Sequence, residues 1–195
     1  MKPSAIDPTK PEGVSHVNAQ HPGRGGAGLG ERSGKRKGYD MTPTFHPYDS
    51  DWVAAIRAGG PDAYDRPAEK AVSDGGGHPC RCCLSDVEKG APMLVCSARP
   101  FEGVHPYAET GPVFLHAKDC NAWAGEGLPP IIAARAEFLL KAYSANERIV
   151  EGTGRITKTE DLTDAFEALF ARPEVAFIDL RSASNNCFLT RITRG

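Results

Sequence analysis

Three of the six cysteines stand within four residues, Cys80, Cys82 and Cys83, in the stretch "HPCRCCLSD". Cys80 and Cys83 form a C-x2-C pair, and after a gap of 32 residues His116 and Cys120 form H-x3-C. If these four side chains are to meet, the segment between them must leave the first pair, turn and come back. That requirement restricts the fold more than any other feature of the chain. Zinc takes four soft or borderline ligands at the corners of a tetrahedron. The layout then reads as a treble-clef-like site, with a knuckle, a hairpin and a ligand pair at the start of a helix. Cys82 offers a competing register, and Leu84 stands where a small residue commonly follows a knuckle. Two other readings remain open. The cysteines can be small buried residues, with His116 a hydrogen-bonded core histidine. Alternatively, Arg81 can lower the pKa of a neighbouring thiol, with His78 or His105 as base. Cys96 and Cys187 fall in predicted strands and read as core.

The intervening segment does carry hairpin signals. "APMLVCSARPF" predicts a strand through Met93–Cys96, and "GPVFLHA" a second from Val113 to His116, with Pro112 at its start. After Asp119 a short helix is expected, broken by "GEGLPP". "PPIIAARAEFLLKAYS" begins helically behind Pro130 and turns strand-like at Phe138. "RIVEGTGRI" reads as a strand with a bend. The clearest element is "TEDLTDAFEALF". There Leu162, Ala165, Phe166, Leu169 and Phe170 recur at helical spacing, with Thr159 as the expected N-cap and Pro173 as the stop. "EVAFIDLRSASNNCFLTRITR" predicts a hairpin with its turn at Ser182–Asn186. Upstream, Asp49, Ser50 or Asp51 caps a short helix carrying Trp52, Val53 and Ile56, and Gly59-Gly60-Pro61 ends it. "DAYDRPAEKAVSDGGGHP" reads as a linker. Strands in hairpins and helices that do not alternate with them argue for an α+β domain of about residues 45–195, with a mostly antiparallel sheet and two or three helices.

Residues 1–40 differ in kind. They hold eight of the 21 glycines and four prolines, and no aromatic residue precedes Tyr39. Such a stretch buries too little apolar surface to offset its ordering entropy, so a disordered tail is expected. Met41 is a candidate alternative start. "GRGGAG" matches a dinucleotide fingerprint as a string, but no strand precedes it and no helix follows it. "SGKRKG" lacks a P-loop's first glycine, because position 29 is Leu29. The tail carries seven basic and four acidic residues, which leaves −5 on the remainder of a chain whose net charge is −2. A folded part of that sign is a poor nucleic-acid binder. No apolar run approaches the ~18–20 residues of a membrane span. The N-terminus lacks the apolar core of a secretory signal, so the cytoplasm is expected. Six cysteines there are thiols or metal ligands more readily than disulfides.

Outside the cysteine cluster, the polar residues of two loops stand out. "HPYAETGP" carries Tyr107 and Glu109, and "RSASNNC" carries Arg181, Asn185 and Asn186. Together with Arg81 these are the pocket candidates, since an Arg with Asn and Tyr nearby suits a carboxylate or phosphate. The simpler roles are turn geometry and caps. No paired carboxylates, G-x-S-x-G or H-E-x-x-H occur, which removes several hydrolase classes.

At "PCRCCLSDVEKGAPMLVCSARPF", "PYAETGPVFLHAKDC" and "VAFIDLRSASNNCFLTRI" the chain resembles an uncharacterised bacterial family, domain of unknown function 1203, over about residues 78–194. The resemblance supplies no activity, cofactor or catalytic residue. It implies that serine can occupy the Cys83 position, which would make a metal site the property of a subgroup. Two functions are therefore weighed, the first as the leading expectation and the second as the alternative. One is a cytoplasmic binding or interaction domain stabilised by one zinc ion on Cys80, Cys83, His116 and Cys120. The other is a small enzyme acting on a small polar substrate through a reactive Cys or the Arg/Tyr/Glu/Asn pocket.

Overall fold

The alternation of apolar residues along the C-terminal hairpin sets up the larger of two sheets. A computed structural model describes residues 42–195; the expectations for residues 1–40 lie outside them. The strands are β1 (Pro43–His46), β2 (Glu69–Val72), β3 (Pro92–Ala98), β4 (Gly111–His116), β5 (Glu137–Tyr143), β6 (Arg155–Lys158), β7 (Phe177–Ser182) and β8 (Phe188–Arg194). They form a five-stranded sheet in the order β1-β8-β7-β5-β6 and a three-stranded sheet in the order β2-β3-β4. Every strand pair is antiparallel. Three helices accompany them: α1 (Ser50–Arg57), α2 (Pro130–Ala133) and α3 (Leu162–Phe170). The α+β class and the mostly antiparallel sheets are as expected.

One face of the larger sheet is apolar because period-2 positions of β5, β7 and β8 carry Phe138, Leu140, Ala142, Ile178, Leu180 and Ile192. The helical stripe Leu162, Ala165, Phe166, Leu169 and Phe170 covers it and forms one buried core. The opposite face mixes buried charge with aromatic residues. Asp179 and Arg181 of β7 lie here, with Lys141 of β5 paired beside Asp179. The β3–β4 connection lies over this face, and its Phe101 packs edge-on against Tyr143, which in turn stacks on Phe177. The smaller sheet buries its own face against Val53 and Ile56 of α1. Asp49 caps α1 through a hydrogen bond from the Trp52 N–H at 2.9 Å.

Several expectations need correction. The stretch read as a linker contains β2, which pairs with β3 through Lys70–Leu94 and its neighbours. No helix follows Asp119; residues 119–129 run without regular structure into α2. Thr159 does not cap α3. It opens a 3-10 turn over Thr159–Asp161, and its hydroxyl donates to the Arg135 carbonyl instead. Residues 148–150 reach the sheet through a single bridge, Tyr143 to Ile149, and the strand proper begins at Arg155. β1 has no clear signal in the sequence: it is four residues long and its apolar content is Phe45, which packs edge-on against Phe166.

Candidate metal centre

The turn at Cys80–Cys83 is where the two sheets meet. The Leu84 N–H donates to the Cys80 carbonyl at 3.0 Å, and the Cys80 N–H to the Ser85 carbonyl at 2.8 Å. Closing the turn puts Leu84 at φ +51°, a left-handed conformation that is unusual for a bulky residue. The turn is also bonded outward. Tyr48 N–H donates to the Arg81 carbonyl, Arg81 N–H to Phe114, Trp123 N–H to Cys82 and Ile131 N–H to Leu84, all within 2.8–3.0 Å. Leu84 itself belongs to the core of the larger sheet, while Cys80 and Cys82 belong to that of the smaller one.

His116 is the last residue of β4, and its partner across the hairpin is Met93. The hairpin register delivers it to the knuckle, and the turn after the strand brings Cys120 alongside. One atom from each of Cys80, Cys83, His116 and Cys120 lies within 4.8 Å of all the others. The Cys80 and Cys120 sulfurs are 3.9 Å apart, and Cys83 Sγ is 3.5 Å from His116 Nδ1. Metal–ligand lengths of 2.3 Å for sulfur and 2.0–2.1 Å for nitrogen give tetrahedral edges of about 3.8 Å for S···S and about 3.6 Å for S···N. The donor set therefore fits a four-coordinate ion.

The surroundings suit thiolates. A hydrogen bond from Cys83, opposed by burial and aided by backbone N–H groups including that of His116, holds the Cys80 thiol down at about 4. Arg57, the last residue of α1, donates from Nη2 to Cys120 Sγ at 3.0 Å and from Nε to the His116 carbonyl at 3.1 Å. A guanidinium there offsets the excess negative charge of three thiolates around a dication. The other imidazole nitrogen, Nε2, faces Glu88 at 3.7 Å, so Nδ1 is the atom left for the ion. Cys82 turns away: its sulfur lies 3.6 Å from the Cys120 carbonyl, and burial pushes its thiol up to about 12. The competing register is not used. The layout departs from a treble clef, since the second ligand pair lies on a strand end and a turn.

Four of the six pocket candidates come together elsewhere. Glu109, Arg181, Asn185 and Asn186 line a cavity of about 330 Å³ with Thr110, Cys187 and Phe188. Arg181, 5 % exposed, donates from Nε to both the main-chain oxygen and Oδ1 of Asn186, and from Nη2 to Glu109. The second Glu109 oxygen accepts from Lys141 Nζ at 2.6 Å. Asn186 does supply left-handed turn geometry, at φ +57°. The register slips between Leu180 and Arg181, where β8 carries one extra residue. Bulges of this kind re-aim side chains and favour sites.

The other two candidates lie apart from that cavity. Tyr107 is on the surface under Arg148, whose guanidinium sits 5.3 Å from its ring centre. Arg81 is interior, 1 % exposed, bonded to the Phe188 and Pro79 carbonyls, and burial lowers its pKa to about 10. Cys187, expected in a core strand, is a partly exposed turn residue on the cavity wall. Sequence reasoning passed over Arg57, Asp179 and Arg191. Asp179 is fully buried on the charged and aromatic sheet face and paired with Arg191, whose guanidinium stacks 3.6 Å from the Phe177 ring centre. A charged residue in the middle of the predicted strand "FIDLR" was the available signal.

Residues 77–194 match the family described as "Protein of unknown function (DUF1203)". The chain belongs to this family. The DUF1203 match contains all four candidate ligands and the whole Arg181 cavity. It leaves out β1, α1 and β2, and with them Arg57, so part of the ligand surroundings comes from outside the DUF1203 region. No curated protein and no solved structure matches the chain. Among the described residues no helix is long and apolar enough to cross a membrane.

Proposed function

We propose that this DUF1203 protein is a cytoplasmic binding domain stabilised by one structural zinc ion on Cys80, Cys83, His116 and Cys120. One observation carries the reading: three cysteines and a histidine from two separated segments converge with near-tetrahedral spacing. Four protein ligands leave no open coordination position, which is the pattern of a structural site. The ion sits at the turn that joins the two sheets, so its binding energy is folding energy for the domain. Six free cysteines are at home in a reducing compartment. The partner is a small polar ligand or another protein; a folded part with net negative charge disfavours nucleic acid.

The test is elemental analysis of the purified, untagged full chain, with thiols counted in the same sample. One zinc per chain, lost together with cooperative folding in Cys83→Ser or Cys120→Ser, supports the proposal. Metal-free protein that stays folded with every thiol titratable overturns it.

A second reading, a small enzyme working through a reactive Cys or the polar pocket, draws on one fact. Cys187 shares a cavity with Glu109, Arg181, Asn185 and Asn186. That cavity has no histidine on its wall to take a proton from the thiol, which favours binding over covalent catalysis there.

A further inference from the structure

The cavity between the β3–β4 connection and the β7–β8 turn is built around an incompletely satisfied cation. Arg181 is 95 % withdrawn from solvent by the 5 % exposure that remains to it, and two of its three nitrogens are accounted for by Asn186 and Glu109. The third, Nη1, is buried and has no hydrogen-bond partner. Leaving a buried donor of a charged group unpaired costs more than leaving a neutral one so, and such a group marks a place where an acceptor is missing.

The charge balance points the same way. Glu109 is shared between two cations, Arg181 and Lys141. Behind the wall residue Phe188 lies Arg81, whose hydrogen bonds go to the Phe188 and Pro79 carbonyls. Among the described residues it has no carboxylate partner. Asp179, buried on the same sheet face and close enough to act electrostatically on Arg181 and Glu109, gives both oxygens to Arg191. The surroundings of the cavity thus hold four cations, Arg81, Lys141, Arg181 and Arg191, against two carboxylates, Glu109 and Asp179. The rest of its lining is mixed. Ala98, Pro100, Pro112, Val113 and Phe188 give an apolar wall, while Thr110, Asn185 and Asn186 give a polar rim.

We propose that this cavity binds a small carboxylate with a short aliphatic body, the carboxylate on Arg181 and the body against Pro100, Pro112 and Phe188. The inference rests on the reading of the domain as a binding module and names what it binds. Glu109 and Asn186 hold the guanidinium in place, and the bulge opposite Arg181 sets where β7 presents it.

Cys187, on the same wall, makes the proposal testable. Iodoacetate is a two-carbon carboxylate that alkylates thiols; iodoacetamide is its neutral counterpart. In either case the Cys187 thiolate attacks the methylene carbon, the C–S bond forms, and iodide leaves with the C–I electrons. An ordinary exposed thiol reacts faster with the neutral amide. With zinc-loaded full-length protein and peptide mapping by mass spectrometry, Cys187 is expected to reverse that order. Iodoacetate should show saturation and a rate about tenfold or more above that of the amide, the size of one charge-assisted hydrogen bond. Butyrate should protect Cys187 competitively, and Arg181→Gln should remove the preference. If that variant does not fold, saturation and butyrate protection in the wild type decide alone.

A linear iodoacetate rate below that of the amide, with no protection by butyrate, overturns the proposal. Protection by inorganic phosphate and not by butyrate also overturns it, in favour of a phosphate site. Zinc content measured on the same sample keeps this outcome separate from a failure of the metal reading.

Discussion

Leu84 offers a test of how the knuckle is held. Its backbone sits at φ +51° while its side chain is fully buried in the core of the larger sheet. Truncation to alanine removes three carbons from a packed site and should cost about 3–4 kcal/mol, within the range for buried Leu→Ala. At an ordinary buried position glycine is worse still. The lost methyl costs about 0.8 kcal/mol and the freer unfolded chain about 0.4–1 kcal/mol. At position 84, however, glycine is also released from the left-handed strain, worth about 1–2 kcal/mol to an L-residue. The two effects offset, so Leu84→Gly and Leu84→Ala should agree within about 0.5 kcal/mol.

Leu115 supplies the control, because it is equally buried but lies within strand β4 in extended conformation. There the glycine variant should fall below the alanine variant by about 1–2 kcal/mol. The assay is urea denaturation of the four zinc-saturated variants, read as midpoints with m-values checked for constancy. If the glycine–alanine gap at Leu84 equals the gap at Leu115, the positive φ carries no strain and the reasoning fails.

Two further outcomes are expected. Arg57→Met removes the guanidinium on Cys120 and the His116 carbonyl and should weaken zinc about 10–100-fold, as loss of groups around the ligands generally does. Competition with a chromogenic chelator measures this, and an unchanged affinity would remove Arg57 from the site. Glu147 gives a pH signature. Burial works against its charge, but bonds from the Glu102 N–H and His105 hold its carboxyl below the usual range. A lowered folded pKa contributes stability above the ordinary carboxylate value, and that contribution is lost as pH falls through the folded one. The thermal midpoint of Glu147→Gln should therefore trail the wild type at pH 6–7 by about 2–4 °C per kcal/mol lost, and the gap should close as the pH falls through the folded carboxyl's lowered value. A gap that persists in acid would mean that the carboxylate charge is not what matters.

Local chemistry wrote much of this protein in plain form. The helical stripe from Leu162 to Phe170 reads as α3 because 3.6-residue periodicity needs no partner to be visible. The β3–β4 and β7–β8 hairpins are equally readable, as is the Asp49 cap. The spacing of Cys80, Cys83, His116 and Cys120 named the candidate ligands because a knuckle and a strand-end pair are short-range patterns. Only the tertiary structure decided the rest. β1 and β2 are four-residue strands whose partners lie outside any local hairpin, Pro43 pairing with Arg194 across almost the whole described chain and Val72 with Pro92, so no local signal specifies them. Which cysteine of the cluster turns away, and which arginine supports the thiolates, depends on how α1 and the β3–β4 hairpin dock on the knuckle. Arg81 and Arg181 stand alike in the sequence as pocket candidates. Packing puts one behind Phe188 on backbone carbonyls and the other on a cavity wall with a nitrogen unpaired. Burial is a property of the assembled layers, and at these sites it is burial that turns a charged side chain into a structural pin or a point of recognition.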